Sequence, residues 1–420
     1  MKRYFRRIPA VFMILILLLV GITGCGKSSE EKVSTVELEN DISVSVWYTD
    51  SGLTDYMERI AAQYKAANPH VTIVPTLVTT DEYLENIYHE SISGSDAPDV
   101  FMMSSDNLEK AYLMGIVAEN DTYASDYTTD VYGDAAISAS SLKGRLYGYP
   151  MAYDTAVMVY NKKYAQSVST FDELTSISDN FEHTEDNAEV EIVAKWDVSD
   201  LMLNYAFVGN YINMGGDSFE DKAQVSLDDA GMLNALNAYA NLREDYGIVR
   251  NATTQQACLE SFENNKLLYT IVRASDLKEL NESGVDYGVI KIPDLSDSIP
   301  TRAMSTTQMA AVNPYSDQVA VAKSVAKAMT YDYASGITEL TKYPAARGDL
   351  KKQPNEEYTQ LHQIYSDSVV KAKFMEIGEL YIKLEVMMHQ IWDEGNVEQN
   401  YATFRDYVQT EQTMTTLTAQ

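Results

Sequence analysis

"LYGYPMAYDTAVMVYNKK", residues 146–163, is the stretch on which the fold turns. It is long and apolar, and it holds a single acid, Asp154, in its middle. On its N-terminal side strands alternate with helices. "ISVSVWYT" (42–49) alternates and is rich in β-branched residues, which reads as a strand. Leu53, Tyr56, Met57, Ile60, Tyr64 and Ala67 then follow helical spacing up to the stop at Asn68-Pro69. "VTIVPTLV" (71–78) is a second strand, and Thr79 and Glu82 have capping-box spacing ahead of a helix carrying Leu84, Ile87, Tyr88 and Ile92. "DVFMM" (99–103) is a third strand, with a short helix to Gly115 behind it. Such alternation makes a parallel sheet layered by helices. Beyond 163 the pattern changes. Helices dominate 171–270, with Leu233, Leu236, Tyr239, Ala240 and Leu242 on one face. Strands return in "DYGVIKIP" (286–293) and "STTQMAAVNP" (305–314), and helices fill the tail, notably 373–394.

The two ends of the chain differ in kind. Lys2, Arg3, Arg6 and Arg7 precede an unbroken apolar run over 11–20, a basic region and a hydrophobic region of secretory length. "GITGCGKS" (21–28) spells a phosphate-binding loop, but no buried strand leads into it and no amphipathic helix follows. "ITGC" (22–25) resembles the bacterial lipobox. That resemblance implies cleavage after Gly24 and a lipidated Cys25, which would cut the loop in two; an ordinary leader with a chance cysteine is the plainer reading. Residues 26–40 are polar and without periodicity, a tether. Removal of 1–24 leaves 28 Lys+Arg against 62 Asp+Glu, a formal charge of −34. A surface so acidic is repelled by phosphate backbones, so nucleic acid is excluded as a partner, and the membrane is met through the lipid alone. About 380 folded residues exceed one comfortable core, so two lobes are expected. Cys258 has no partner once Cys25 is lipidated, and reads as a small buried apolar residue. No cofactor motif, catalytic signature or metal-ligand spacing is present, so no enzyme activity, cofactor or metal is expected.

Residues 42 to about 412 resemble the extracellular solute-binding proteins of ABC importers, in the branch typified by the maltose-binding protein. The segments that carry the resemblance are "GSDAPDVFMMSSD" (94–106), "LKGRLYGYPMAYDTAVMVYNKK" (142–163) followed by "FDEL", "FENNKLLYTIVRASDL" (262–277), "VDYGVIKIP" (285–293) and "YPAARGDL" (343–350). Their order and spacing are more specific than any one of them. The resemblance implies an α/β, two-lobed periplasmic-binding-protein-like fold of the class II type. Each lobe is a sheet flanked by helices, and the ligand cleft lies between them. Matching segments give a signal peptide over 1–24 and a tether over 25–40. Lobe one takes 41–152 plus 305–343, and lobe two takes 153–304 plus 344–420. The implied protein is a lipid-anchored monomer on the outer face of a Gram-positive membrane. It binds a carbohydrate, in the first place an oligosaccharide, and hands it to an ABC permease. A peptide or polyamine ligand is the rival within the class. A glycoside hydrolase with paired carboxylates and a purely structural lipoprotein are the rivals outside it.

Candidate ligand contacts follow from residue chemistry and from the resemblance together. Asp154 cannot be buried unpaired among Met151, Ala152, Val157 and Met158. It faces either a ligand, as a sugar-contacting acid of the family does at the lobe crossing, or a salt-bridge partner such as Arg145 or Lys162. Asp106 matches a second such acid, or caps the helix that follows it. Trp47 closes the first strand at the sheet's carboxyl edge, where ligands of open α/β sheets gather; a core tryptophan is the rival. Tyr153, Tyr205 and, more loosely, Trp196 are read as rings that stack on sugar C–H faces. Where the family has a stacking tryptophan this chain has Ser275 with Arg273 nearby. Arg273 could hold a ligand carboxylate or hydroxyls, or close a salt bridge. The later family aromatic aligns near Tyr381. Glu379 and Arg347 complete the candidates.

Overall fold

The computed structural model describes residues 40–94, 96–350 and 355–418. Cys25, with the leader and tether around it, lies outside the described residues. β1 (Ile42–Tyr48) runs parallel to β2 (Val71–Leu77) on one side and to β3 (Val100–Ser104) on the other. The helix Thr54–Ala67 returns the chain from β1 to β2 and buries Tyr56, Met57, Ile60 and Tyr64, the stripe its spacing predicts. The expected capping box at 79–82 does not form. Glu82 is itself the N-cap of Tyr83–Ser93, without a side-chain cap bond, and so cannot reach back as a third-position residue would.

β4 (Tyr149–Asn161) is the opening stretch of sequence, buried along almost its whole length. At about 3.3 Å per residue its 13 residues reach about 43 Å, far enough to serve two halves of one sheet. β5 (Ile192–Ala194), β6 (Leu267–Arg273), β7 (Tyr287–Ile290), β8 (Met304–Val312) and β9 (Val369–Val370) complete it. The order is β2-β1-β3-β8-β4-β6-β5, with β7 also on β4 and β9 on β8. β4 changes partners halfway. Tyr149 to Thr155 pair with β8, whereas Ala156 to Tyr160 pair with β6, the last pair being Ala156 with Arg273. The hand-over lies one residue past Asp154. The sheet thus has two halves that share β4.

The register between β4 and β8 slips at Gln308/Met309, and Gly148 lies against that bulge. A Cβ there would meet the Met309 sulfur at 2.1 Å, so a side chain at this position would require Met309 to move. Apolar packing forms three clusters. One surrounds β1 and continues past the hand-over to Cys258 and Phe262. A second lies between 156 and 304 and between 369 and 408. A third, with Phe101, Met103 and Met309, covers the other face of β3. Much of the chain's tyrosine content is explained here. Tyr56 and Tyr132 bury their rings while their hydroxyls donate to the carbonyls of Met329 (2.6 Å) and Thr330 (2.9 Å), and Tyr64 donates to Ser324 Oγ (2.8 Å). The phenol supplies apolar area and satisfies a buried acceptor at once.

Between β9 and the helix Ile377–Glu394, a short segment reaches three separate places. The Lys371 ammonium donates to Asp106 (2.7 Å). Lys373, 1% exposed, donates to the Ser138 and Ser141 carbonyls (2.7 and 2.5 Å) at the end of the helix Asp134–Ser140. The Met375 amide donates to Glu109 (2.8 Å). Burial pushes the Lys373 ammonium down to about 8, against the pull of Glu220 at 3.9 Å.

Candidate ligand-binding cleft

The carboxyl ends of β3 and β6 meet the hand-over in β4, and a cavity of about 700 Å³ opens there. Ligands of open α/β sheets gather at such ends. A larger cavity, about 880 Å³, lies between 134–138, 209–228 and 366–370, away from those strand ends. The smaller one is therefore taken as the cleft. It brings together four residues singled out in the sequence: Asp106, Asp154, Arg273 and Tyr381.

Asp154 makes neither expected salt bridge. Arg145 pairs with Glu119 (2.9 Å) and Lys162 with Glu357. Instead the carboxylate accepts from the Ser275 amide (3.1 Å), the Ser275 hydroxyl (2.9 Å) and the Thr155 amide (3.0 Å). Burial pushes its pKa up to about 6. The Ser275 bonds oppose that shift, Asp276 adds to it and Arg273 weakly counters it. Ser275, standing where the family has a stacking ring, is thus what holds this acid in place.

Asp106 is not a helix cap, for Asn107 occupies that position ahead of Leu108–Leu113. One oxygen accepts from Lys371, and the other is buried with no donor among the described residues. Arg273 pairs with Asp200 through one Nη, as the salt-bridge reading expects, while its guanidinium also lines the cleft. Asp200 is fixed in turn by accepting from the Met202 amide (2.8 Å). Tyr381 accepts from the Ala372 amide (3.0 Å) and shows only a little of its ring.

Six expected contacts lie elsewhere. Trp196 is 0% exposed, ringed by Phe171, Phe207, Tyr246 and Trp392, with its Nε1 donating to Asn204 (3.1 Å). Tyr205 is buried edge-on to Tyr381. Tyr153 points to the opposite face of β4 from Asp154 and stacks on Tyr365 at 3.8 Å, since adjacent strand residues face opposite sides. Trp47 packs partly buried on the third cluster. Arg347 lies over the Tyr331 ring (4.0 Å) and pairs with Asp349 (2.6 Å). Glu379 points to solvent. Lys110 and Lys371, at the cleft, were not foreseen. Lys371 had a signal, a charge within the apolar run 369–374. Among the described residues no group of three or more His, Cys, Asp or Glu is placed to hold a metal ion.

Comparison with known proteins agrees with this architecture. The maltodextrin-binding protein of Bacillus subtilis is 21% identical over 388 residues, 88% of this chain and 89% of that one. A maltooligosaccharide ABC transporter solute-binding lipoprotein of Streptococcus pneumoniae is 24% identical over 307 residues, 70% of each chain. The structure of an extracellular solute-binding protein from Staphylococcus aureus in complex with maltose superposes with a TM-score of 0.75 at 19% identity, covering 90% of this chain and 98% of that one. The model of the bacterial extracellular solute-binding protein family matches residues 50–332, and the chain belongs to that family.

Proposed function

We propose that this protein captures an oligosaccharide in the cleft at the β4 hand-over and delivers it to an ABC importer permease. The observation that carries the reading is the buried Asp106 oxygen that has no donor among the described residues, in a cavity that Asp154 also lines. A carboxylate accepts from sugar hydroxyls, and an unmet buried acceptor is costly until something donates to it. Met202, Met304, Phe374 and Ile377 give the cleft an apolar wall for sugar C–H faces. The names of the relatives, one a maltodextrin-binding protein and one a maltooligosaccharide transporter lipoprotein, support the same class. A polyamine suits the cleft less well, because its ammonium groups would compete with Lys110, Lys371 and Arg273 for carboxylates that these already hold. The family and these relatives are binding proteins, and the reading involves no covalent chemistry.

Lobes of 41–152 plus 305–343 and of 153–304 plus 344–420 close on the ligand in this reading, the monomer tethered through Cys25. Calorimetry with neutral and charged oligosaccharides, followed by small-angle scattering with whichever binds, tests it. The radius of gyration should fall on saturation, because contacts from both lobes favour the closed state. A folded protein that binds no oligosaccharide would refute the proposal.

The membrane claim has its own test. The protein acts outside the cell in association with the membrane, and stable anchoring needs more than one acyl chain. The Cys25→Ala protein should be released into the medium or accumulate as uncleaved precursor. Normal membrane retention would remove the lipid anchor from this account.

A further inference from the structure

The chain has 62 acidic residues against 32 basic ones, yet basic side chains outnumber acidic ones, three to two, among those that line the cleft. Lys110, Lys371 and Arg273 line it against Asp106 and Asp154. The hydrogen-bonding capacity left open is more one-sided than the charge. Each lysine carries three donors and the arginine five. Lys110 uses one on Glu85 (2.7 Å), Lys371 one on Asp106 (2.7 Å) and Arg273 one on Asp200. The Arg273 Nε–H is buried and without a partner among the described residues. On the acceptor side Asp154 is already engaged by Ser275 and Thr155, so the Asp106 oxygen is the main opening. A neutral sugar offers hydroxyls that would satisfy Asp106 but would leave this excess of cationic donors poorly used.

Resting on the oligosaccharide reading above, we infer that the ligand carries a carboxylate, a uronate residue, received by the free edge of Arg273 and by Lys371. The planar guanidinium matches a carboxylate with two parallel bonds, and an ammonium adds a point charge beside it. Glu85, Asp106 and Asp200 hold the three cations in place. The ring bearing the carboxylate lies with its hydroxyls toward Asp106 and its C–H face toward the methionine wall.

The test uses the folded full-length protein and an array of neutral, galacturonate-, glucuronate- and mannuronate-bearing oligosaccharides. Calorimetry on the best acidic ligand and its methyl ester follows, the ester keeping the skeleton without the charge. The acid should bind about 10- to 150-fold tighter than the ester, the span of one charge-assisted contact, and the difference should shrink at high salt. Arg273→Gln and Lys371→Gln should each move the acid-to-ester ratio toward one. Lys371→Gln keeps the test informative if loss of the Asp200 pair unfolds the arginine variant. Neutral sugars binding as tightly as acidic ones would overturn this inference and leave the oligosaccharide reading standing. Binding of neither class would overturn both.

Discussion

The Asp154→Asn protein should be more stable than the wild type at pH 7.5 and should bind ligand worse. Burial raises the Asp154 pKa from 3.8 to about 6. The folded state therefore holds this proton more tightly than the unfolded chain, and stability falls as pH rises from about 4 to about 6. Two units at about 1.4 kcal/mol each place the loss near 3 kcal/mol above pH 6, less whatever solvent screening removes at a half-buried site. Asparagine is neutral throughout and nearly the same shape, so about 1–3 kcal/mol should be recovered at pH 7.5 and nothing below about pH 4. The cost falls on binding. If the carboxylate accepts sugar hydroxyls in the closed cleft, affinity drops about 10- to 150-fold. Thermal melts of both proteins across this pH range, with calorimetry at pH 7.5, check each half. A variant that melts lower than the wild type at pH 7.5 would mean that the Ser275 bonds outweigh burial. Unchanged affinity would remove the residue from the site.

Trp196→Ala should cost about 3–5 kcal/mol, as deletion of a fully buried large ring does. Four aromatic neighbours would border the hole, and the Asn204 oxygen would lose its donor. At about 2.1 cal/mol/K per residue the melting temperature should fall by about 5 °C. Asn204 also donates to the Asp200 carbonyl (2.8 Å), so some slackening of the Asp200–Arg273 pair is expected. Affinity of the fraction that stays folded should nevertheless remain within about tenfold of wild type. Unaltered melting with abolished binding would return Trp196 to the ligand site.

These two residues mark where the sequence was readable and where it was not. Strands β1, β2, β3 and β8 were found to within two residues, β1 and β2 from their β-branched alternation and β3 from its short apolar run. The long apolar stretch proved to be the strand Tyr149–Asn161 that pairs with both halves of the sheet. Ring residues were another matter. Stacking on a sugar and packing in a core ask for the same side chain, so Trp196, Tyr205 and Tyr153 carried no local mark to separate the two. Periodicity could have removed some of them. Tyr153 and Asp154, adjacent on a strand, cannot face the same cleft. Glu379 and Tyr381, two apart on a helix, do not share a face, whereas Ile377 and Tyr381 do. Lys110 needed the tertiary structure, since its neighbours in the cleft come from distant parts of the chain.

The short segment after β9 has a consequence for how this protein can change length. Lys371 reaches Asp106 and Lys373 reaches the Ser138 and Ser141 carbonyls, with the buried Ala372 between them. Deleting one residue between Val370 and Phe374 would pull neighbouring side chains out of places that are each fixed by position in the chain. Loss of Ala372 would force Lys373 into its buried place and away from the two carbonyls, and loss of Lys371 would leave Asp106 without its cation. Insertions and deletions should therefore be far less tolerated here than substitutions, and variants selected for function should keep the spacing even where they lose the lysines.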